Sequence, residues 1–380
     1  MNRYSVLLAT DSFKGSASSI EVEKLLERGI RRVAPDCTVL EYPIADGGEG
    51  TVEAVMASKG GDLRDVHVRG PLGADVVAKY VLSDDDAIIE MAQASGLTLI
   101  EQNRENALNA STFGVGQMIL DALDAGAKRI FIGLGGSATS DGGVGMAKAL
   151  GVRFFNADGE YVPCGLAGLE NLTSIDWSDA DPRILKTEFV ALTDVSNTLV
   201  GPDGAVHIYG PQKGLGARDL DRFDQWMSQY AKLLFDVAGF DVASVAGAGA
   251  AGGLGAALVA FCGAEIKSGI DTVLDIIGIE KVMPHVDLVI TGEGRMDSQS
   301  ANGKAPIGVA LRAKKFGVPV VAVVGSRADD LGGVYEEGID LVLSCVYEPT
   351  SLKRCMARVT ETVPIAGESA MRAFLMAKRT

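Results

Sequence analysis

Short apolar runs alternate with amphipathic stretches at both ends of the chain. Val6–Ala9 reads as a buried strand. Ser18-x-x-Glu21 then spells a capping box, and Val22, Leu25, Leu26, Ile30 and Val33 fall on one helical face. Pro35 ends that helix, Val39–Ile44 is a second strand, and a helix over Val52–Ser58 closes at Gly60-Gly61. This β-loop-α-β-loop-α order opens a parallel sheet. The same texture returns from Val286, with strands over Asp287–Ile290, Val318–Val324 and Leu341–Cys345, a helix over Ile307–Lys315 and a C-terminal helix.

Between these ends the pattern changes. His67–Arg69 and Ala74–Leu82 alternate as antiparallel strands around Gly70-Pro71-Leu72-Gly73, and Ala87–Met91 is a further strand with Glu90 inside it. Phe113–Ala125 reads as a helix closed by Gly126, Ile130–Ile132 and Phe189–Leu192 as strands, and Val144–Leu150 and Leu220–Val237 as helices. The segment 201–216 reads as loop, and Gly247–Gly255 leads into an apolar helix over Ala256–Cys262. The expectation is an α/β protein of two domains. Residues 1–64 and 285–380 would share one doubly wound parallel sheet, and residues 65–284 would form an inserted mixed α/β domain with Gly-rich phosphate loops.

Composition narrows the class. The chain has 380 residues, 47% of them hydrophobic and 22% charged, an ordinary balance for a globular protein of this size. The net charge of −15 argues against a nucleic-acid partner, which needs a basic face. No stretch nears 18 uninterrupted apolar residues, and the apolar run at the N-terminus is too short for a signal peptide, so a cytoplasmic protein without membrane contact is expected. Five scattered cysteines without a C-x-x-C fit free thiols, and the three histidines lack metal-ligand spacing.

The polar loops carry the candidate chemistry. Gly133, Gly135, Gly136, Ser137, Thr139, Ser140, Asp141, Gly142 and Gly143 follow a strand and precede a helix, an arrangement suited to cradling a phosphate or carboxylate. Asp11, Asp46, Asp194 and Glu293 each stand just past a strand end. Taken singly, any of them reads as a turn or cap residue. Repeated in one type of position, they suit Mg²⁺, which takes oxygen ligands, or a base for an alcohol. Lys14, inside Ser-Phe-Lys-Gly-Ser, could hold an anion; Lys213, Arg295 and Lys304 lie in other loops. Two stretches spell a dinucleotide fingerprint, Gly133-x-Gly135-x-x-Ala138 and Gly247-x-Gly249-x-x-Gly252, the second with Asp271 about 20 residues on. An NAD-dependent oxidoreductase of a small hydroxy acid is therefore the alternative to phosphoryl transfer. The P-loop pattern fails at Ser298 and Ala305, and the protein-kinase motifs are absent.

Together the loops resemble the bacterial glycerate kinase family, in the class of glyoxylate and glucarate degradation. The matching stretches are Asp11–Ser16, Pro43–Thr51, Ile89–Ala92 with Ala94–Leu97, Gly133–Gly143, Asp194 with Asn197, Gly210–Gly214, Gly247–Gly255, and Thr291–Gly294 with Asp297, Gln299 and Ser300. Departures are Thr198-Leu199 where the family has Pro-Leu, Tyr209 where it often has Phe, and a Val346–Leu352 region lacking a Pro-Gly-Pro segment.

The resemblance implies a flavodoxin-like domain built from both chain ends. It also implies ATP- and Mg²⁺-dependent phosphorylation of D-glycerate, in this class at the 2-hydroxyl, giving 2-phosphoglycerate. On that basis Asp194, Lys14 and Asp46 are the expected catalytic residues, with Asp194 as base or metal ligand and Glu293 as a further metal ligand. Ser12, Lys14, Asp141, Gln299 and Ser300 are expected at the substrate, Asp141 equally as a residue shaping its loop. Gly135, Gly136, Ser137, Gly252 and Gly253 are expected at the nucleotide phosphates. The sequence leaves open which loop takes ATP and which takes glycerate.

Overall fold

A computed structural model describes residues 4–301 and 303–378. Strands are numbered along the chain: β1 (Ser5–Thr10), β2 (Thr38–Glu41), β3 (Asp62–Arg69), β4 (Asp75–Ser83), β5 (Asp86–Glu90), β6 (Arg129–Gly133), β7 (Arg153–Phe155), β8 (Ser174–Asp176), β9 (Glu188–Leu192), β10 (Glu265–Lys267), β11 (Leu288–Gly292), β12 (Arg295–Met296), β13 (Val320–Val324), β14 (Ser326–Arg327) and β15 (Leu341–Ser344). The chain divides into two compact units. One comprises Met1–Asp46, Glu53–Gly60 and Ile270–Thr380; the other comprises Gly47–Val52 and Gly61–Gly269.

The first unit holds a five-stranded sheet, entirely parallel, in the order β15-β13-β11-β1-β2. Numbered within the unit this is the 2-1-3-4-5 order of flavodoxin-like folds. Its central strands are apolar throughout because both faces are covered. Helix Ser19–Arg31 packs beside helix Val359–Ala377, and Val22, Leu26, Ile30, Val363, Ala366 and Met371 join Val6, Leu8 and Ile290 in one core. The expected capping box is present: Glu21 N donates to Ser18 Oγ at 3.3 Å, and Ser18 N donates to Glu21 Oε2 at 2.8 Å. Helix Ala305–Lys315 buries Ile307, Val309 and Ala310.

The second unit holds a six-stranded mixed sheet, β10-β9-β6-β5-β4-β3, parallel except where β4 meets its two neighbours. Helices Phe113–Asp124, Val144–Ala149, Leu220–Ala238 and Ala250–Cys262 share its core with Tyr80, Phe154, Phe223 and Tyr230. A fully buried side chain of this kind contributes about 1.5–3 kcal/mol.

The expected strands and long helices lie within a few residues of their predicted bounds, with one clear miss. The segment read as loop over 201–216 contains the helix Ala205–Lys213 with Pro211 inside it. Gly210-Pro211 reads locally as a breaker. Here proline sits near the end of a short helix, and Gly214, at φ +109°, closes it by donating to Gly210 O and Pro211 O. Among the described residues no helix is long and apolar enough to cross a membrane.

Candidate active site

Each unit carries its own group of candidate residues. In the first, two neighbouring inner strands of the sheet, β1 and β11, end side by side. Asp11 N donates to Gly292 O at 2.9 Å, extending the β1–β11 ladder past Thr10 and setting Asp11 beside the start of the Glu293 loop. A side chain at 292 would meet Val323 O at 2.0 Å, so only glycine lets β11 close on β13 here. Asp11 and Glu293 are 8% and 7% exposed. Burial, with Asp46 and Glu293 nearby, pushes the Asp11 carboxyl up to about 7, against the opposing pull of Lys14. Burial also raises Glu293, against a hydrogen bond from Ser300 and the charges of Lys304 and Lys14. Lys304 Nζ stands 3.8 Å from Glu293 Oε2, while Glu293 Oε1 is buried with no partner.

The loop after β1 is shaped by its own backbone. Phe13 N donates to Ala17 O, Ser16 N to Phe13 O, and Gly15 turns at φ +72°. Buried Phe13 anchors the turn, so Lys14 projects outward, its Nζ 4.0 Å from Asp46 Oδ2, with half-buried Ser12 beside it. After β12, a turn over Ser298–Ala301 ties the remaining expected residues together. Asp297 N donates to Ser300 Oγ at 3.2 Å and Gln299 N to Asp297 Oδ1 at 3.1 Å. Ser300 is buried inside this turn, and Gln299 is exposed on it.

The glycine-rich loop after β6 belongs to the second unit, and its glycines do different work from that expected. A Cβ at Gly133 would strike Gly47 O at 2.1 Å, and one at Gly135 would strike Gly48 Cα at 2.7 Å, so both positions admit the Gly47-Gly48 backbone. Gly252 and Gly253, expected at phosphates, are fully buried with φ +68° and +94°. Side chains there would meet Thr139 O at 2.0 Å and Leu199 Cδ1 at 2.8 Å, with Gly142 Cα at 2.9 Å from the latter. They lock one loop onto another. The surface of the loop is at Gly135 and exposed Gly136, next to Ser137.

Asp141 likewise does not reach outward. It is fully buried, and its carboxylate accepts from Thr112 N, Thr112 Oγ1, Gly143 N and Gly145 N at 2.9–3.2 Å. It holds the loop to the start of helix Phe113–Asp124. Exposed Asp194 accepts from Ser268 Oγ at 3.0 Å and Gly269 N at 2.9 Å through the same oxygen, which ties the end of β9 to the segment after β10. Asn197 is fixed between Asp203 O and Tyr209 OH. Glu90, at the end of β5, accepts from Val52 N at 2.8 Å.

Neither fingerprint spelling forms a dinucleotide turn. After Gly133 the chain runs into a bridge between Ser137 and Gly96, and its helix starts only at Val144. The second spelling follows the short turn Val242–Ser244, not a strand, and Asp271 is bound by Arg312 at 2.6 Å. The oxidoreductase alternative is not favoured.

Asp11 is the residue the sequence placed among the strand-end acids without giving it a role; its neighbour across the ladder is what sets it apart. Among the described residues no three His, Cys, Asp or Glu side chains gather as a metal site. A cation here would complete its shell with other oxygens.

The profile of the Glycerate kinase family matches residues 6–375. A glycerate kinase of Halalkalibacterium halodurans is 45% identical over 353 residues, covering 92% of this chain and 93% of that protein. A glycerate 2-kinase of Escherichia coli K12 is 47% identical over 341 residues, covering 89% and 90%. The crystal structure of a Salmonella typhimurium LT2 protein assigned as glycerate kinase 2 covers 100% of both chains with a TM-score of 0.87 at 42% identity.

Proposed function

The chain belongs to the glycerate kinase family, an enzyme that phosphorylates glycerate, and we propose that it moves the γ-phosphate of ATP to the 2-hydroxyl of D-glycerate. The observation that carries the chemical part of this reading is the pairing of Asp11 with Glu293 at adjacent strand ends, with Lys14 and Asp46 beside them. Phosphoryl transfer to an alcohol asks for a charge-neutralising site and a carboxylate to receive the hydroxyl proton late in the step. A carboxyl poised at about 7 both accepts and releases a proton at neutral pH. Asp11 is therefore the first candidate for the base, ahead of Asp194, one of whose oxygens already holds Ser268 and Gly269.

Mg²⁺ fits the oxygen-only donors here. Glu293, with Oε1 buried and unpartnered, and Asp46 would hold it, and nucleotide phosphate and water would complete its shell. Bound there it would supply neutralisation of phosphate charge. Lys14, with Ser12, holds the glycerate carboxylate or the transferring phosphoryl group. In the second unit, the Gly135–Ser137 tip receives an anionic group, phosphate or carboxylate.

The reading is tested by supplying ATP, Mg²⁺ and D-glycerate and identifying the product by phosphorus NMR. We expect 2-phosphoglycerate. Formation of the 3-phosphate would overturn the 2-hydroxyl assignment, and turnover with another phosphoryl donor but not ATP would overturn the donor.

A further inference from the structure

Lys213 is among the most completely buried side chains of the protein, at 1% exposure, and no step above uses it. It leaves the last turn of helix Ala205–Lys213 and drives its amine under the glycine-rich loop, where Nζ donates to Thr139 O at 2.5 Å. The helix cannot run on past it. A side chain at Gly214 would meet the Asn103 backbone at 2.5 Å, and Gly214 adopts a left-handed conformation. The Thr139 carbonyl is confined on another side by Gly252, where a Cβ would lie 2.0 Å away, and Gly142 N donates to Gly252 O at 3.0 Å. The loop's own hydroxyls do not hold it from this side, since Thr139 Oγ1 and Ser140 Oγ are buried without partners.

We propose that Lys213 is a positioning residue for the glycine-rich loop. By fixing the Thr139 carbonyl it sets the Gly135–Ser137 tip, open at Gly136, in the shape that receives an anionic group, a phosphate of the nucleotide or the carboxylate of glycerate. This rests on the function proposed above. A buried ammonium also favours an anion at the tip through its charge. That charge faces Asp141 from the loop. From its own helix it faces Tyr209, whose ring centre is 6.0 Å away; Tyr230 of helix Leu220–Ala238 stands near the same Asp141, and helix Ala250–Cys262 contributes no charged side chain. Burial lowers the amine to about 7, so its charge is lost across neutral pH. Anion affinity at the tip should then weaken as pH rises through 7, since the charged amine is the form that attracts the anion.

The test uses the full chain as wild type, Lys213→Met and Lys213→Gln. Three quantities are measured: amide hydrogen exchange across residues 137–145 without ligand, and calorimetric affinities for a non-hydrolysable ATP analogue with Mg²⁺ and for D-glycerate, at pH 6 and pH 8. We expect exchange in the loop at least about tenfold faster in Lys213→Met. One of the two ligands, the one the tip receives, should lose about tenfold or more in affinity while the other stays within about twofold. The pH dependence of that ligand should vanish in both variants, and Lys213→Gln, which keeps an N–H for the Thr139 carbonyl, should recover part of the affinity. Unchanged loop exchange, or a lower melting temperature with both affinities intact, would overturn the proposal. Wild-type protein that binds neither ligand would defeat the proposed function instead, and the exchange data would still decide the role of Lys213.

Discussion

Asp11 and Glu293 are neighbours across two parallel strands that lie 282 residues apart in the chain, and both are buried at the strand ends. Burial does most to raise the proton affinity of both; Asp46 and then Glu293 add to it at Asp11, and Asp297 adds to it at Glu293. An acid whose pKa rises on folding favours the folded state most below its unfolded value. That contribution is lost as pH climbs through the folded value, here from about 3.8 to about 7 for Asp11.

Asp11→Asn should therefore act in two directions. Turnover should fall by roughly 10²–10⁴, the range of general-base catalysis, and the acidic limb of the rate profile near pH 7 should disappear. The melting temperature at pH 8 should rise by about 3–6 °C, because a neutral amide relieves the buried charge. Steady-state kinetics across pH 5–9 and calorimetry at pH 8 check both; a variant with near-normal turnover would remove Asp11 from the chemistry.

Asp194→Asn separates the two candidates for the base. With its oxygen holding Ser268 and Gly269, we expect a stability loss of about 1 kcal/mol and a turnover loss below about tenfold. Denaturant titration and kinetics on the same preparation read the two effects. A drop of several orders of magnitude in turnover would return the role of base to Asp194.

The buried glycines and the exposed one should part company. Gly252→Ala puts a Cβ 2.0 Å from Thr139 O at a left-handed position and should cost roughly 2–4 kcal/mol. Gly136→Ala, whose Cβ would meet only Ala92 at 3.3 Å, should fold with a loss of about 1 kcal/mol but raise KM for one substrate about tenfold or more. Melting curves and Michaelis constants for both substrates distinguish them.

Glu23, fully buried on helix Ser19–Arg31, accepts from Thr10 N at 3.0 Å, and burial raises its carboxyl well above the usual range. Its stabilising contribution belongs to the protonated form and declines as pH rises toward that raised value. Glu23→Gln should keep the acceptor and flatten the fall in melting temperature as pH rises above the ordinary glutamate value of 4.5. A slope equal to wild type would show that Glu23 does not titrate there.

Much of the fold could be read from local pattern. The apolar runs of β1, β11 and β13 are short and uninterrupted, the latter two ending at glycine, and Ser18 with Glu21 marks a helix start without ambiguity. Helix Ala205–Lys213 was hidden because Gly210-Pro211 outweighed its weak periodicity. The site was legible as residue types but not as roles. Gly133, Gly135, Gly252 and Gly253 spell a ligand loop, yet what presses on them is backbone from residues 47–48, 139 and 142, information no local window contains. Asp141 looked available for the same reason, since its donors Thr112, Gly143 and Gly145 come from two separate elements.

The pairing of β1 with β11 also dictates an order of assembly during synthesis. Val6, Leu7 and Leu8 leave the ribosome long before the strand that completes their ladder, with Leu288, Val289 and Ile290. The intervening chain carries a sheet and core of its own and can mature in the meantime. Closure over so long a separation is slow, so nascent β1 waits as an exposed, sticky edge. Cells making this protein in quantity are expected to need a chaperone for β1 more than for the intervening unit.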